Sequence, residues 1–258
     1  MEYSKKHKAF LQVFLQNGII SAHEARGIAV KIFDNTDTVD SHALLINIQL
    51  QIVNMALKSV KCEHTGEEFW VLVSTILDDS TKFQQEYTHA QLELLRKIYA
   101  EIITSATKSV SGTDCLNFCT TLENRLSKHD GEDFLNEMIA KQWLYCSNGI
   151  FYMGARSIAE QLLYFKSTYD DALANCVLCK QVIFYGHTCQ ECNHIIHNHC
   201  LFNYARIQKP LKCPQCSKPM PDVEIEDTQD VTNDDSMEVS QDQTQNVSQT
   251  KKKRSRRH

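Results

Sequence analysis

The sequence has no apolar run approaching the ~18 to 20 residues that a membrane-spanning helix requires, although 42% of its 258 residues are hydrophobic. Its first residues, Met1 to Lys8, are polar and basic and lead into an amphipathic stretch, so no secretory signal is expected there. The eleven cysteines are then expected as thiols or metal thiolates, not disulfides. A basic surplus is missing too. The formal net charge is −5, and it is unevenly spread. Asp222 to Thr250 holds nine acidic residues and no basic one, whereas six of the seven residues from Lys251 to Arg257 are basic. That leaves 21 basic and 23 acidic residues in 1–221, a balance that offers nucleic acid no broad positive face.

What the chain does have is a run of metal-ligand residues. Cys176 and Cys179, Cys189 and Cys192, His197 and Cys200, and Cys213 and Cys216 form four pairs, each with two residues between partners. A tetrahedral zinc ion takes four such donors, and a C-x2-C knuckle supplies two from one tight turn. Eight donors make two zinc ions. In a cross-brace, the first and third pairs share one ion and the second and fourth share the other. With four protein ligands no coordination position stays open, so both ions are expected to be structural. Cys192, His194, His197 and Cys200 also fit a double-histidine spacing that would leave Cys189 free. Cys189 is preferred because it completes a knuckle with Cys192. The remaining Cys62, Cys115, Cys119 and Cys146 lack metal-like spacing and read as ordinary core or surface thiols.

The rest of the folded region reads as helices and hairpins. Residues 8–17 have helical periodicity and stop at Gly18. Ser21 with Glu24 is a capping box that opens a helix to about Phe33. Ser41 is expected to cap a helix over 42–59, with Leu44, Leu45, Ile48, Ile52, Met55 and Ala56 as its apolar stripe. Strands at 58–63 and 67–74 flank His64-Thr65-Gly66. The pattern then repeats. Thr88 and Gln91 box a helix over 89–105, Thr113 or Asp114 caps one to about Ser127, and a third covers 131–141. Asn148-Gly149 joins two short strands, 143–146 and 150–153, and a helix over 155–168 follows. Three helices and a hairpin, twice, predict a mainly α chain with small β-hairpins. The expected architecture is two tandem winged-helix domains (1–80 and 85–168), a cross-brace zinc domain (172–221), and a disordered acidic tail (222–258). The terminal KKKRSRR looks like a nuclear import signal. Glu132, Asp133 and Glu137 on the recognition-like helix argue against direct DNA contact.

Cross-brace modules are mainly RING domains, which recruit a ubiquitin-conjugating enzyme, or PHD fingers, which read histone tails. A PHD finger usually has Trp two residues before its seventh ligand, where this chain has Leu211. Cys213-Pro214-Gln215-Cys216 favours the RING. The positions matching a RING's groove for the conjugating enzyme are Leu178, Tyr204 and Pro214. Many ligases carry Arg or Lys right after the last ligand, where this chain has Ser217, with Lys218 next.

Together, FLQVFLQNGII at 10–20, KQWLYCSNGIFYMGARSI at 141–158, and CVLC, CQECNHIIHNHC and CPQC in the zinc run resemble the non-SMC element one family, over about 1–221. This family supplies the variant-RING subunit of the SMC five/six chromosome complex. The resemblance implies a MAGE-type partner, a kleisin partner and a nuclear, chromatin-associated role in DNA repair by recombination. It also implies partner-dependent ubiquitin ligase activity, with DNA met only through the complex. The alternative is a non-catalytic subunit whose zinc domain stabilises assembly. Phe69, Trp70 and Leu72, apolar on both faces of a strand, suit a partner interface.

Overall fold

The computed structural model describes residues 2–34, 38–77 and 86–220, all within one compact unit, Met1–Val223. The expectations for the tail, 222–258, lie outside the described residues. Among the described residues, no helix is long and apolar enough to cross a membrane.

The first half opens with α1 (Lys5–Asn17), which ends at Gly18, where φ is 74° and the amide bonds back to the Phe14 carbonyl. Strand β1 (Ile19–Ser21) leads into α2 (Ala22–Phe33). Ser21 and Glu24 form both halves of the expected capping box. Helix α3 (Val39–Leu50) is capped by Thr38, not Ser41, and gives way to a 3-10 turn at Gln51–Val53. Asn54 at φ 53° then turns the chain into β2 (Met55–Lys61), which pairs with β3 (Glu68–Ser74). The sheet order is β1-β3-β2, antiparallel throughout.

Two expectations give way here. Helix 42–59 stops at Leu50, because Met55 onward pairs with β3. The stripe assigned to it is also turned. Ala43, Ile46 and Leu50 enter the core with Phe10, Phe14 and Trp70, while Leu44, Ile48 and Ile52 are 65%, 52% and 84% exposed.

The second half repeats this order: α4 (His89–Thr104), β4 (Val110–Ser111), α5 (Gly112–Phe118), α6 (Lys128–Ala140), β5 (Leu144–Ser147) and β6 (Ile150–Met153). Its sheet order is β4-β6-β5, the same permutation as in the first. The Thr88/Gln91 capping box and the Asn148-Gly149 turn are present, the turn with both φ positive. Ser111 caps α5 in place of Thr113 or Asp114, and the helix ends well before Ser127, which caps α6. The helix expected over 155–168 breaks at Gln161 into α7 (Ala155–Glu160) and α8 (Leu162–Tyr169). Ala155 packs with Phe69 and Cys62 beside the first sheet, whereas Phe165 enters the second core with Trp143, Phe134 and Ile98.

The two halves also meet through Arg156. Its guanidinium lies 4.4 Å from the Trp143 ring, pairs with Glu160 at 2.7 Å, and packs where a Cβ on Gly18 would stand. Gly154 is equally constrained, since a Cβ there would sit 2.3 Å from the Gln142 carbonyl oxygen. Cys115 and Cys119 are fully buried, and burial pushes Cys115 up to about 12, as expected of inert core thiols.

Candidate metal centre

Short strands β7 (Ala174–Asn175), β8 (Val182–Ile183), β9 (His187–Thr188) and β10 (Ile195–Ile196) form two two-stranded ribbons, followed by α9 (Asn198–Ile207). Their core is Ile183, Ile196, Leu201, Ala205, Leu211 and Met220, with Cys176, Cys189 and Cys213 completing it. So few apolar side chains cannot hold the loops, and the cysteines must do so through metal.

The fold gathers the eight donors into two clusters, Cys176, Cys179, His197 and Cys200, and Cys189, Cys192, Cys213 and Cys216. Within each, the donor atoms all lie within 4.8 Å of one another. Four sulfurs at ~2.3 Å from a tetrahedral zinc lie about 3.8 Å apart. In the second cluster Cys189 and Cys216 are separated by 3.8 Å, and Cys192 and Cys213 by 3.7 Å. In the first, His197 Nδ1 is 3.3 Å from the Cys179 sulfur and 3.9 Å from that of Cys200. The donor sets therefore fit two structural zinc ions, interleaved as a cross-brace. His194 is exposed, directs Nδ1 at the Cys192 carbonyl 3.0 Å away, and belongs to neither cluster.

Knuckle geometry prepares the thiolates. Burial alone would raise Cys176, but backbone amides of Cys179, His197 and Leu178 bring it down to about 7. The amides of Cys192 and Glu191 bring Cys189 to about 7 as well. Burial and the neighbouring Cys176 charge push Cys200 up to about 12. A cluster without metal thus holds protons that zinc must displace.

One residue at the site was not foreseen. Glu63, in the turn between β2 and β3, is buried against the zinc module. Its Oε1 lies 3.1 Å from His197 Nε2, and its Oε2 accepts the Phe184 amide at 3.1 Å and the Tyr185 amide at 2.6 Å. Burial would lower His197, but the Glu63 hydrogen bond and charge, with the Cys176 and Cys179 sulfurs, carry it to about 9. Beside Glu63, the His64 ring stacks on Tyr185 at 3.6 Å and contacts Tyr152 and Tyr145. Burial lowers His64 to about 4, so it sits neutral among the three tyrosines. Phe184 enters the second helical core against Phe165. The tip of the first hairpin therefore touches both the second hairpin and the zinc module.

Phe69 and Trp70, expected to meet a partner, are buried inside the chain, Trp70 against the first core and Phe69 against Ala155. Both faces of β3 are covered, as the apolar pattern implied, but by the chain itself. Leu72 is half-buried opposite Leu57. Leu178, Tyr204 and Pro214 are half-buried, and Leu178 and Tyr204 pack against the zinc module's core.

Two interleaved, closed zinc sites carried by two helix-and-hairpin halves define a protein with a RING-like structural zinc module. Comparison with known proteins agrees. Residues 7–117 match the family described as the Nse1 non-SMC component of SMC5-6 complex, and residues 176–216 match a RING-like domain. Similar proteins include the non-structural maintenance of chromosomes element 1 homologs of Xenopus laevis and Homo sapiens. The first is 27% identical over 236 residues, 89% of this chain and 87% of its own. The second is 27% identical over 218 residues, 82% of each chain. The Schizosaccharomyces pombe relative is 23% identical over 218 residues, 84% of this chain and 92% of its own. A solved chain from an Nse1-Nse3-Nse4 complex superposes with a TM-score of 0.74 at 25% identity, covering 86% of this chain and 99% of that one. The chain is thus similar to the Nse1 family in both its helical region and its zinc-ligand region.

Proposed function

We propose that the chain is a RING-type ubiquitin ligase subunit of an SMC5-6 chromosome-maintenance complex, acting in the nucleus in DNA repair by recombination. The observation that carries this reading is the pair of interleaved four-donor clusters in a RING-like segment of a chain similar to the Nse1 family. Such a module has no catalytic side chain. It binds the charged conjugating enzyme and holds its thioester-linked ubiquitin in a reactive pose, an effect of orientation. Leu178, Tyr204 and Pro214 are the residues proposed to receive that enzyme. Titrating the whole zinc-loaded chain with a ubiquitin-conjugating enzyme should perturb the amide or side-chain signals of these residues first. Perturbations confined to other faces would remove them from the contact.

The two halves are read as winged-helix domains, 1–80 and 85–168, ahead of a zinc domain at 172–221. The repeated strand orders β1-β3-β2 and β4-β6-β5 support that reading. The proposed partners are a MAGE-type subunit and a kleisin, by analogy with the related Nse1-Nse3-Nse4 assembly. With Phe69 and Trp70 buried, the partner surface is proposed instead at α3 and the turn after it, for the MAGE-type subunit. There Leu44, Ile48, Ile52 and Val53 stand exposed at helical spacing, and apolar patches rimmed by polar residues mark interfaces. Leu44→Asp with Ile48→Asp should cut affinity for that subunit by at least tenfold in a pull-down or calorimetric titration, with the thermal midpoint unchanged. Undiminished affinity would place the subunit elsewhere.

A non-catalytic assembly role is the second reading. Ser217 favours it, since the position after the last ligand carries no cation to fix ubiquitin's pose. Its backbone is given over to a positive-φ turn at 60°, with its amide bonded to the Cys213 carbonyl.

A further inference from the structure

We infer that Glu63 is a positioning residue of the first zinc site, and that through it the first hairpin helps to hold that metal. His197 offers two ring nitrogens. Nδ1 faces the sulfurs of Cys179 and Cys200, and Nε2 faces the Glu63 carboxylate. A metal on Nδ1 leaves a proton on Nε2, and a carboxylate that accepts this proton fixes the tautomer, aims the ring and makes the ligand more basic. Glu63 does this from 134 residues away in sequence.

The carboxylate is placed for the task. The side chains of Glu63 and His197 are only 4% and 6% exposed. Among the described residues no lysine or arginine pairs with Glu63. Its charge is met by the imidazole and by the amides of Phe184 and Tyr185. A buried carboxylate without these partners would be strongly disfavoured. The turn that presents it is stiff. The Cys62 amide bonds the Glu67 carbonyl at 2.8 Å, the Gly66 amide bonds the Cys62 carbonyl at 2.9 Å, and the His64 ring is packed under Tyr185. One carboxylate thus joins the His197 ligand, the 184–185 loop and the first helical half. The Cys189, Cys192, Cys213 and Cys216 site gains nothing from it.

That asymmetry makes the inference testable without any activity assay. The full chain is loaded with cadmium-113, whose resonance separates a three-sulfur, one-nitrogen site from a four-sulfur site. Glu63→Gln keeps the size but sets an NH2 against one of the three N–H donors and removes the charge. It should shift and broaden the three-sulfur signal alone and weaken metal binding there about 10 to 100-fold, with the four-sulfur signal unmoved. Equal retention at both sites in Glu63→Gln, or equal loss from both, would overturn the inference. A second reading needs no variant. In the wild-type zinc protein, nitrogen-15 spectra of the His197 ring should show a slowly exchanging proton on Nε2. Metal on Nε2 would overturn the inference equally.

Discussion

Removing zinc unfolds residues 174–220 and leaves the two helical halves folded. The zinc module's own core holds only six buried apolar side chains besides its cysteines, too few to offset the chain entropy of so many loops. Metal binding in modules of this kind supplies ~10 to 16 kcal/mol of apparent free energy near neutral pH, which dominates any other term in this segment. Each helical half has a core of its own, around Phe10, Phe14 and Ile46 in the first and around Ile98, Ile102, Phe134 and Trp143 in the second, to which the zinc module adds Phe184. Chelation should therefore abolish amide-exchange protection across 174–220 while retaining it in α1, α4 and α6. Cys213→Ala, at a residue only 1% exposed, should reproduce that pattern. Protection that survived chelation would mean the module folds without metal.

Truncating Trp143 should cost about 3 to 5 kcal/mol, the usual range for a large buried aromatic, and lower the thermal midpoint by roughly 10 °C in a chain of this size. Trp143 is 1% exposed and fills the second core, and its ring is the platform for Arg156. Arg156 in turn packs beside Gly18 of the first half. Trp143→Ala therefore loosens the seam between the halves as well as the core. Trp143→Phe should be milder, under about 2 kcal/mol. The indole N–H has no hydrogen-bond partner among the described residues, so removing it leaves nothing unsatisfied. A cost below about 1 kcal/mol for the alanine variant would contradict the packing described.

The sequence was most legible where chemistry is local. Ser21 with Glu24 and Thr88 with Gln91 announce helix starts through hydrogen bonds spanning three residues, and both boxes formed. Asn148-Gly149 supplies the positive φ that its turn needs. The zinc ligands show in their spacing because a knuckle dictates it. Residues on α3 were misread because periodicity reports that a face is apolar, not what covers it. Leu44 and Ile48 looked like core and lie in solvent, while Ala43 and Ile46 do the packing. Phe69 and Trp70 were misread the other way, since a strand apolar on both faces does not reveal that α7 closes the second face. Glu63 left no signal at all. A single acid in a hairpin turn is unremarkable until the fold brings His197 to it.

The most direct test of the proposed role is ubiquitin-chain formation by the purified, zinc-loaded chain, with and without a MAGE-type partner, comparing wild type with Leu178→Ala. The account predicts chains that depend on the partner and fall at least tenfold in Leu178→Ala, with both zinc ions retained. Chain formation absent under every condition, in an intact zinc-bound complex, would contradict it and leave a subunit whose zinc module serves assembly alone.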